Sequence, residues 1–447
     1  MARDAGSSRG VPEWIDPLVL VGLKLILDAW VLGHGFTHIS DDDYSRTTIS
    51  ELFAHEPRLD PSGTSWLPLP FWVEGGILRL LGRSLPVARA VAIALGGAGI
   101  VLPYIAMRSA GARRSVALLA TMIVGVLPWN AWLGVATVPD GWVGALAASA
   151  VVGALGDPRR RATWAAGLLA ASLSRYETWS ACAAVAAFML GEGICAGRLH
   201  KNWRSVMLCA AGPVAWMAWN AHAHGSPFHF LVRVTAFRRS IGAAAVPLSQ
   251  KLLGYPRALW VDSPEVFVLG VLALAGFALV PELRKRWGRP ALVAGTVLVF
   301  LITGDLGDGA PTHHPARALV MTWWILAPAG IEATRTLLTR LSNSGRVSRM
   351  AAVLAVCSGA AAWCVTLPAR WAESPGRSSW DNRGPQIARG IDLRDRRVVG
   401  AIVVPCQFEY FALLAAWGQP ERAVVLPRTG KPPGPECPSV EEQPIPR

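Results

Sequence analysis

Three consecutive carboxylates, Asp41, Asp42 and Asp43, stand directly after the first apolar run of the chain. Neighbouring carboxylates repel and raise one another's proton affinity unless cations or hydrogen-bond donors meet them. A carboxylate so placed can act as general base towards a hydroxyl nucleophile. The plainer alternative is a solvated N-cap for a helix that continues through Ser50 and Glu51. Further along, Asp140 sits in a VPD turn, Arg175 and Glu177 in SRYETW, and His313, His314 and Arg317 in PTHHPARAL. An arginine at a membrane boundary can fork two hydrogen bonds onto phosphate oxygens, or can simply snorkel to the interface. Arg175 with Glu177 reads equally as a substrate contact or as a structural ion pair, and Asp140 as a second acid or as a polar turn. His34, His38 and Asp42 recur at four-residue spacing and share one face if the first helix extends that far. On that basis Asp41, Asp42 and His38 are candidate ligands for Mg, Mn or Zn. Lys24 and Asp28, four apart within the first apolar run, can neutralise each other structurally.

The rest of the sequence has to position these groups in a bilayer. Of 447 residues, 52% are hydrophobic and 16% charged, with a mean hydropathy of +0.36. Soluble proteins carry about a quarter charged residues. This composition excludes a soluble enzyme, a disordered protein and a coiled coil, and predicts an all-α polytopic membrane protein of about eleven spans. The expected spans are Leu18–Phe36, Leu85–Met107, Val116–Ala136, Trp142–Leu155, Trp164–Leu173, Trp179–Ile194, Val206–Ala221, Val266–Val280, Ala291–Thr303, Leu319–Leu337 and Ala351–Leu367. The first reads as a retained helix and not as a cleavable signal, because Lys24 and Asp28 interrupt it.

The net charge of +13 lies in clusters between apolar runs: Arg108, Arg113 and Arg114; Arg159 to Arg161; Arg198, Lys201 and Arg204; Arg284 to Arg289; Arg340, Arg346 and Arg349. That is a topology signal and not a nucleic-acid surface. It predicts a protein of the inner or plasma membrane with a cytoplasmic N-terminus. The loop 34–84, the other candidate groups and the C-terminus then lie on the extracytoplasmic side. Residues 1–367 form the membrane domain. Residues 368–430 read as a small βαβ-like α/β cap, with strands near Val398–Val404 and Ala423–Leu426 flanking a helix at Gln407–Trp417. The Pro-rich stretch 431–447 reads as disordered. Seven cysteines form no CxxC pair, and Cys406 could pair with Cys437 in the cap.

An acidic group after the first span, followed by a Tyr, an Arg and an aromatic, proline-rich loop, resembles the GT-C superfamily of membrane glycosyltransferases. The nearer likeness is to its protein O-mannosyltransferase and aminoarabinose-transferase branch. DDDYSR (Asp41–Arg46), HEPRLDPSGTSWLPLPFW (His55–Trp72), VPD, SRYETW and PTHHPARAL carry the resemblance, which covers Leu18 to about Leu337. It implies transfer of a sugar from a polyprenyl-phosphate donor to a protein, lipid or glycan acceptor at the extracytoplasmic face, with inversion. Asp41 or Asp42 would be the base and Asp140 an accessory acid. Tyr44, Arg46, His55, Arg175, Glu177, His313, His314 and Arg317 would contact substrate, with no cofactor required beyond a possible Mg or Mn ion. The competing classes are a transporter or flippase of lipid-linked sugar and a non-catalytic membrane assembly protein. A transporter would show internal repeats and charges at mid-membrane, whereas here the polar clusters sit at the boundary.

Overall fold

The computed structural model describes residues 12–63, 65–197, 202–240, 246–309, 314–342, 363–372, 383–398, 400–405 and 409–426. The chain opens with α1 (Ile15–Gly33), then α2 (Asp42–His55) and α3 (Leu69–Leu81) within the first loop. Next come α4 (Leu85–Ser109), α5 (Arg114–Gly125), α6 (Pro128–Val135), α7 (Asp140–Gly156), α8 (Arg161–Ser172) and α9 (Glu177–Cys195). They are followed by α10 (Trp203–His224), α11 (His229–Ser240), α12 (Leu248–Asp262), α13 (Pro264–Leu279), α14 (Pro281–Leu306) and α15 (Val320–Ser342). Residues 363–372 form α16, and the C-terminal unit holds α17 (Gly384–Asp395), β1 (Ile402–Pro405), α18 (Glu409–Trp417) and β2 (Ala423–Leu426).

The protein is a polytopic helical membrane protein. Among the described residues three helices, α4, α9 and α14, are each long and apolar enough to cross a bilayer alone, and two bent pairs, α5–α6 and α12–α13, pass when joined. That is fewer than the eleven expected. Most of the other expected spans coincide with helices that are short, such as α8, or carry charge, such as α1 with Lys24 and Asp28. The run Val116–Ala136 is not straight: α6 turns 74° from α5, because Pro128 cannot continue the preceding helix. The basic cluster at Arg284–Arg289 is not a loop but the first turns of α14. The expected span Ala351–Leu367 lies outside the described residues as far as residue 362, as do His313, Cys406, Cys437 and the stretch 431–447.

Small residues let the helices approach. Gly276 of α13 faces Ala333 of α15, and Gly330 of α15 lies against the backbone of Leu269, so the two helices approach closely at these points. Trp287, Trp323 and Trp324 fill the neighbouring core, and Trp287 donates to Glu332 at 2.7 Å. Polar contacts gather at two opposite ends of the bundle. At one end Arg114 binds Asp16, Arg161 binds Glu192 and Asn202, and Arg289 binds Glu192. At the other end stand the starts of α2, α7, α9 and α15, which carry the carboxylates and Arg317.

The C-terminal unit forms a two-stranded parallel sheet with Ile402 paired to Ala423 and Pro405 to Leu426. The expected strand at Val398 begins four residues later, because Val398 N–H still donates to Leu393 O and closes the turn after α17. Helix α17 itself was not foreseen. It packs on α18 where Gly390 meets Leu413 and Ala416, a fit that leaves no room for a Cβ.

Candidate active site

Helix α1 ends at Gly33, and Gly35 adopts a left-handed φ of 83°. His34, His38 and Asp42 therefore do not continue one helical face: His34 stacks back on Trp30, while His38 is buried against Thr37 and Tyr44. Helix α2 then starts with the aspartate triplet, and each carboxylate finds different partners. Asp41 takes two hydrogen bonds from Arg383, both 2.8 Å. Asp42 accepts from Arg317 at 2.9 Å. Asp43 is fully buried and accepts from Ile39 N–H at 3.1 Å and Thr137 N–H at 2.9 Å. It bolts the loop before α2 to the turn before α7, in the manner of an acid reaching back over a helix start. Three separate partner sets thus relieve the repulsion between neighbouring acids.

Arg317, in the 3-10 turn Pro315–Leu319 that leads into α15, is the hub. Its guanidinium reaches Asp42, Ser40 Oγ at 3.3 Å, and both oxygens of Asp140, at 3.3 and 3.1 Å. Asp140 is the first residue of α7, where a negative charge meets the positive end of the helix dipole. It also pairs with Arg175, which pairs in turn with Glu177 at the start of α9. Asp140 is 1% exposed and Arg317 5%, whereas the Asp42 side chain retains 30% of its exposure. Of this connected cluster, Asp42 is the carboxylate most open to solvent or a substrate, since the Glu177 side chain keeps only 12%.

Arg46, one turn after Asp42, is buried with its guanidinium 4.4 Å above the ring of Trp66 and 5.6 Å from that of Phe71. It makes no salt bridge among the described residues. Burial, together with the positive charges of Arg317 and Arg175, pushes its pKa down to about 9, with Asp42 opposing. The aromatic loop that carries Trp66 is docked by Leu69 N–H donating to Leu173 O and by Tyr176 hydroxyl donating to Ser65 O. Glu74 of α3 is buried beside Arg46, and burial raises its carboxyl to about 8; Glu51 of α2 is pushed well above the usual carboxylate range for the same reason.

The structure thus brings together Asp42, Asp140, Arg175, Glu177 and Arg317, with Arg46 beside them. Other candidates lie apart. Tyr44 is fully buried, its hydroxyl 3.2 Å from His38 and its ring among cap residues. His55 is half exposed at the far end of α2, 3.8 Å from Glu421. His314 lies against Trp129, with ring centroids 5.3 Å apart. Asp41, Asp42 and His38 do not converge as a ligand set, since the first two turn to different arginines. Among the described residues no group of three His, Cys, Asp or Glu side chains is placed to hold a metal ion. Arg383 was missed altogether, because nothing local in its polar stretch points to a partner 342 positions earlier.

A helical membrane bundle with a loop of short helices at one end and a small α/β cap over it has a counterpart among solved structures. The chain is similar in structure to ArnT from Cupriavidus metallidurans bound to undecaprenyl phosphate, with a TM-score of 0.50 and 14% sequence identity over 93% of this chain and 90% of that one. No protein-family model matches the sequence, and no curated protein does.

Proposed function

We propose that this protein is a GT-C glycosyltransferase that moves a sugar from a polyprenyl-phosphate donor to a hydroxyl acceptor at the extracytoplasmic face. The observation that carries the reading is the fork of Arg317, which spans a reachable carboxylate, Asp42, and a buried one, Asp140. The ArnT structure with the same fold holds undecaprenyl phosphate.

Asp42 is the general base. The acceptor oxygen attacks the anomeric carbon as its proton passes to the Asp42 carboxylate, and the bond from that carbon to the phosphate oxygen breaks on the opposite side. The configuration inverts and the polyprenyl phosphate leaves with one more negative charge. Arg317, Arg175 and Arg46 supply positive charge for that leaving group, where low dielectric makes it most effective. Asp140, closed off from solvent, aligns two of those arginines and does not take the proton. The residues present do not fit a metal-dependent version of this step, because the acids are already committed to arginines.

Two measurements test the reading. The purified full-length protein should bind undecaprenyl phosphate, as native mass spectrometry would show. A deletion strain should lose one glycan modification and accumulate a lipid-linked sugar. A strain with unchanged glycans and glycolipids would overturn the assignment.

A further inference from the structure

We infer that the C-terminal cap is a working part of the active site, with Arg383 as the positioning residue for the aspartate triplet. The inference rests on Asp42 acting as the base. Helix α2 is two-faced at 3.6 residues per turn. Asp42 and Arg46 face Arg317 and Trp66. Asp41, Tyr44 and Thr48 lie on another face and meet the cap. There Tyr44 packs on Ala412 and Ala415 of α18, and Thr48 Oγ1 donates to Phe411 O at 3.5 Å.

The cap grips α2 at both ends. At the N-cap, Arg383 holds Asp41 with a two-point fork while itself only 8% exposed. At the last residue, Glu421 lies 3.8 Å from His55 and takes two hydrogen bonds, 2.7 and 3.0 Å, from Arg83 in the turn between α3 and α4. The cap therefore fixes the helix that presents the base and cancels the charge next to it. Without Arg383, Asp41 would stand as an uncompensated anion beside Asp42 and would compete with it for Arg317. A planar fork also sets the angle of α2 in a way a single ammonium cannot.

The test restores the full-length protein to the deletion strain and measures the recovered glycan by mass spectrometry at equal membrane abundance. It is paired with the affinity of each purified variant for undecaprenyl phosphate. Arg383→Gln and Asp41→Asn should each lower the glycan at least ten-fold, and the double variant should fall no further than either single one. Affinity for undecaprenyl phosphate should stay within two-fold of the parent, because Arg383 does not belong to the phosphate-facing set. Arg383→Lys should recover at least three-fold over Arg383→Gln. The inference is overturned if Arg383→Gln keeps more than half the glycan, if the two losses multiply, if lysine gives no recovery, or if lipid affinity collapses with Arg383. Asp42→Asn separates the two readings: full glycan in that variant removes the base assignment itself, whereas its loss alongside an active Arg383→Gln removes only the role of the cap.

Discussion

The two carboxylates gripped by Arg317 should differ in how much the same substitution costs the fold. Asp140 is 1% exposed and meets two guanidiniums, so Asp140→Asn leaves Arg317 and Arg175 facing each other without the charge between them. Removing one member of a buried ion pair costs roughly 3–5 kcal/mol, and the isosteric amide, which keeps one acceptor, places this change near about 3 kcal/mol. Asp42 pairs with Arg317 while its side chain keeps 30% exposure, so solvent screening reduces the corresponding loss to about 1 kcal/mol. Its loss as base should nonetheless lower transfer by about 10²- to 10⁴-fold. The assay is thermal unfolding of each purified variant in one detergent, followed through the intrinsic fluorescence of the 20 tryptophans, beside glycan recovery in the deletion strain. Asp140→Asn should be destabilised and inactive, and Asp42→Asn stable and inactive. An Asp42→Asn protein as unstable as Asp140→Asn, or one that keeps a tenth of the activity, would refute this division of roles.

Three other outcomes follow from the same contacts. Burial raises Glu74 to about 8 from an ordinary 4.5, so between those values the folded protein holds a proton that the unfolded chain has lost; stability should fall as pH rises from 4.5 to 8, by up to about 1.4 kcal/mol per pH unit, and Glu74→Gln should flatten that slope in a pH series of melts. Lys24 and Asp28 form a buried pair beneath Gly134 of α6, so Lys24→Met alone should cost about 3 kcal/mol, while Lys24→Met with Asp28→Leu should regain most of it in the same melt. A Cβ at Gly75 would lie 2.6 Å from both Phe53 Cδ1 and Ser50 O, one of them backbone, so Gly75→Ala should push α3 from α2 and destabilise by about 1–3 kcal/mol in that assay.

Features that depend on local composition were legible before any coordinates. The polytopic membrane class follows from apolar content, and most expected spans coincide with helices because apolar run length and helix length are tied by the rise per residue. The cap strand Ala423–Leu426 and helix Glu409–Trp417 matched their sequence pattern closely. Helix α17 did not stand out, since GPQIARGIDLRD is mostly polar and gains its apolar contacts only by packing on α18. The bend between α5 and α6 hid inside one continuous apolar run, where Pro128 was the single clue.

The sequence by itself determined that most acids and arginines would fall between the apolar runs and not within them, because charge is costly in hydrocarbon. It did not determine which acid answers which arginine. Asp42 meets Arg317 across 275 positions, Asp140 meets it across 177, and Asp41 meets Arg383 across 342. Three adjacent aspartates are equivalent in a list of residues. They become a latch, a reachable carboxylate and a structural bolt only when α2 points them in three directions, roughly 100° apart around its axis, and tertiary packing supplies a different partner along each.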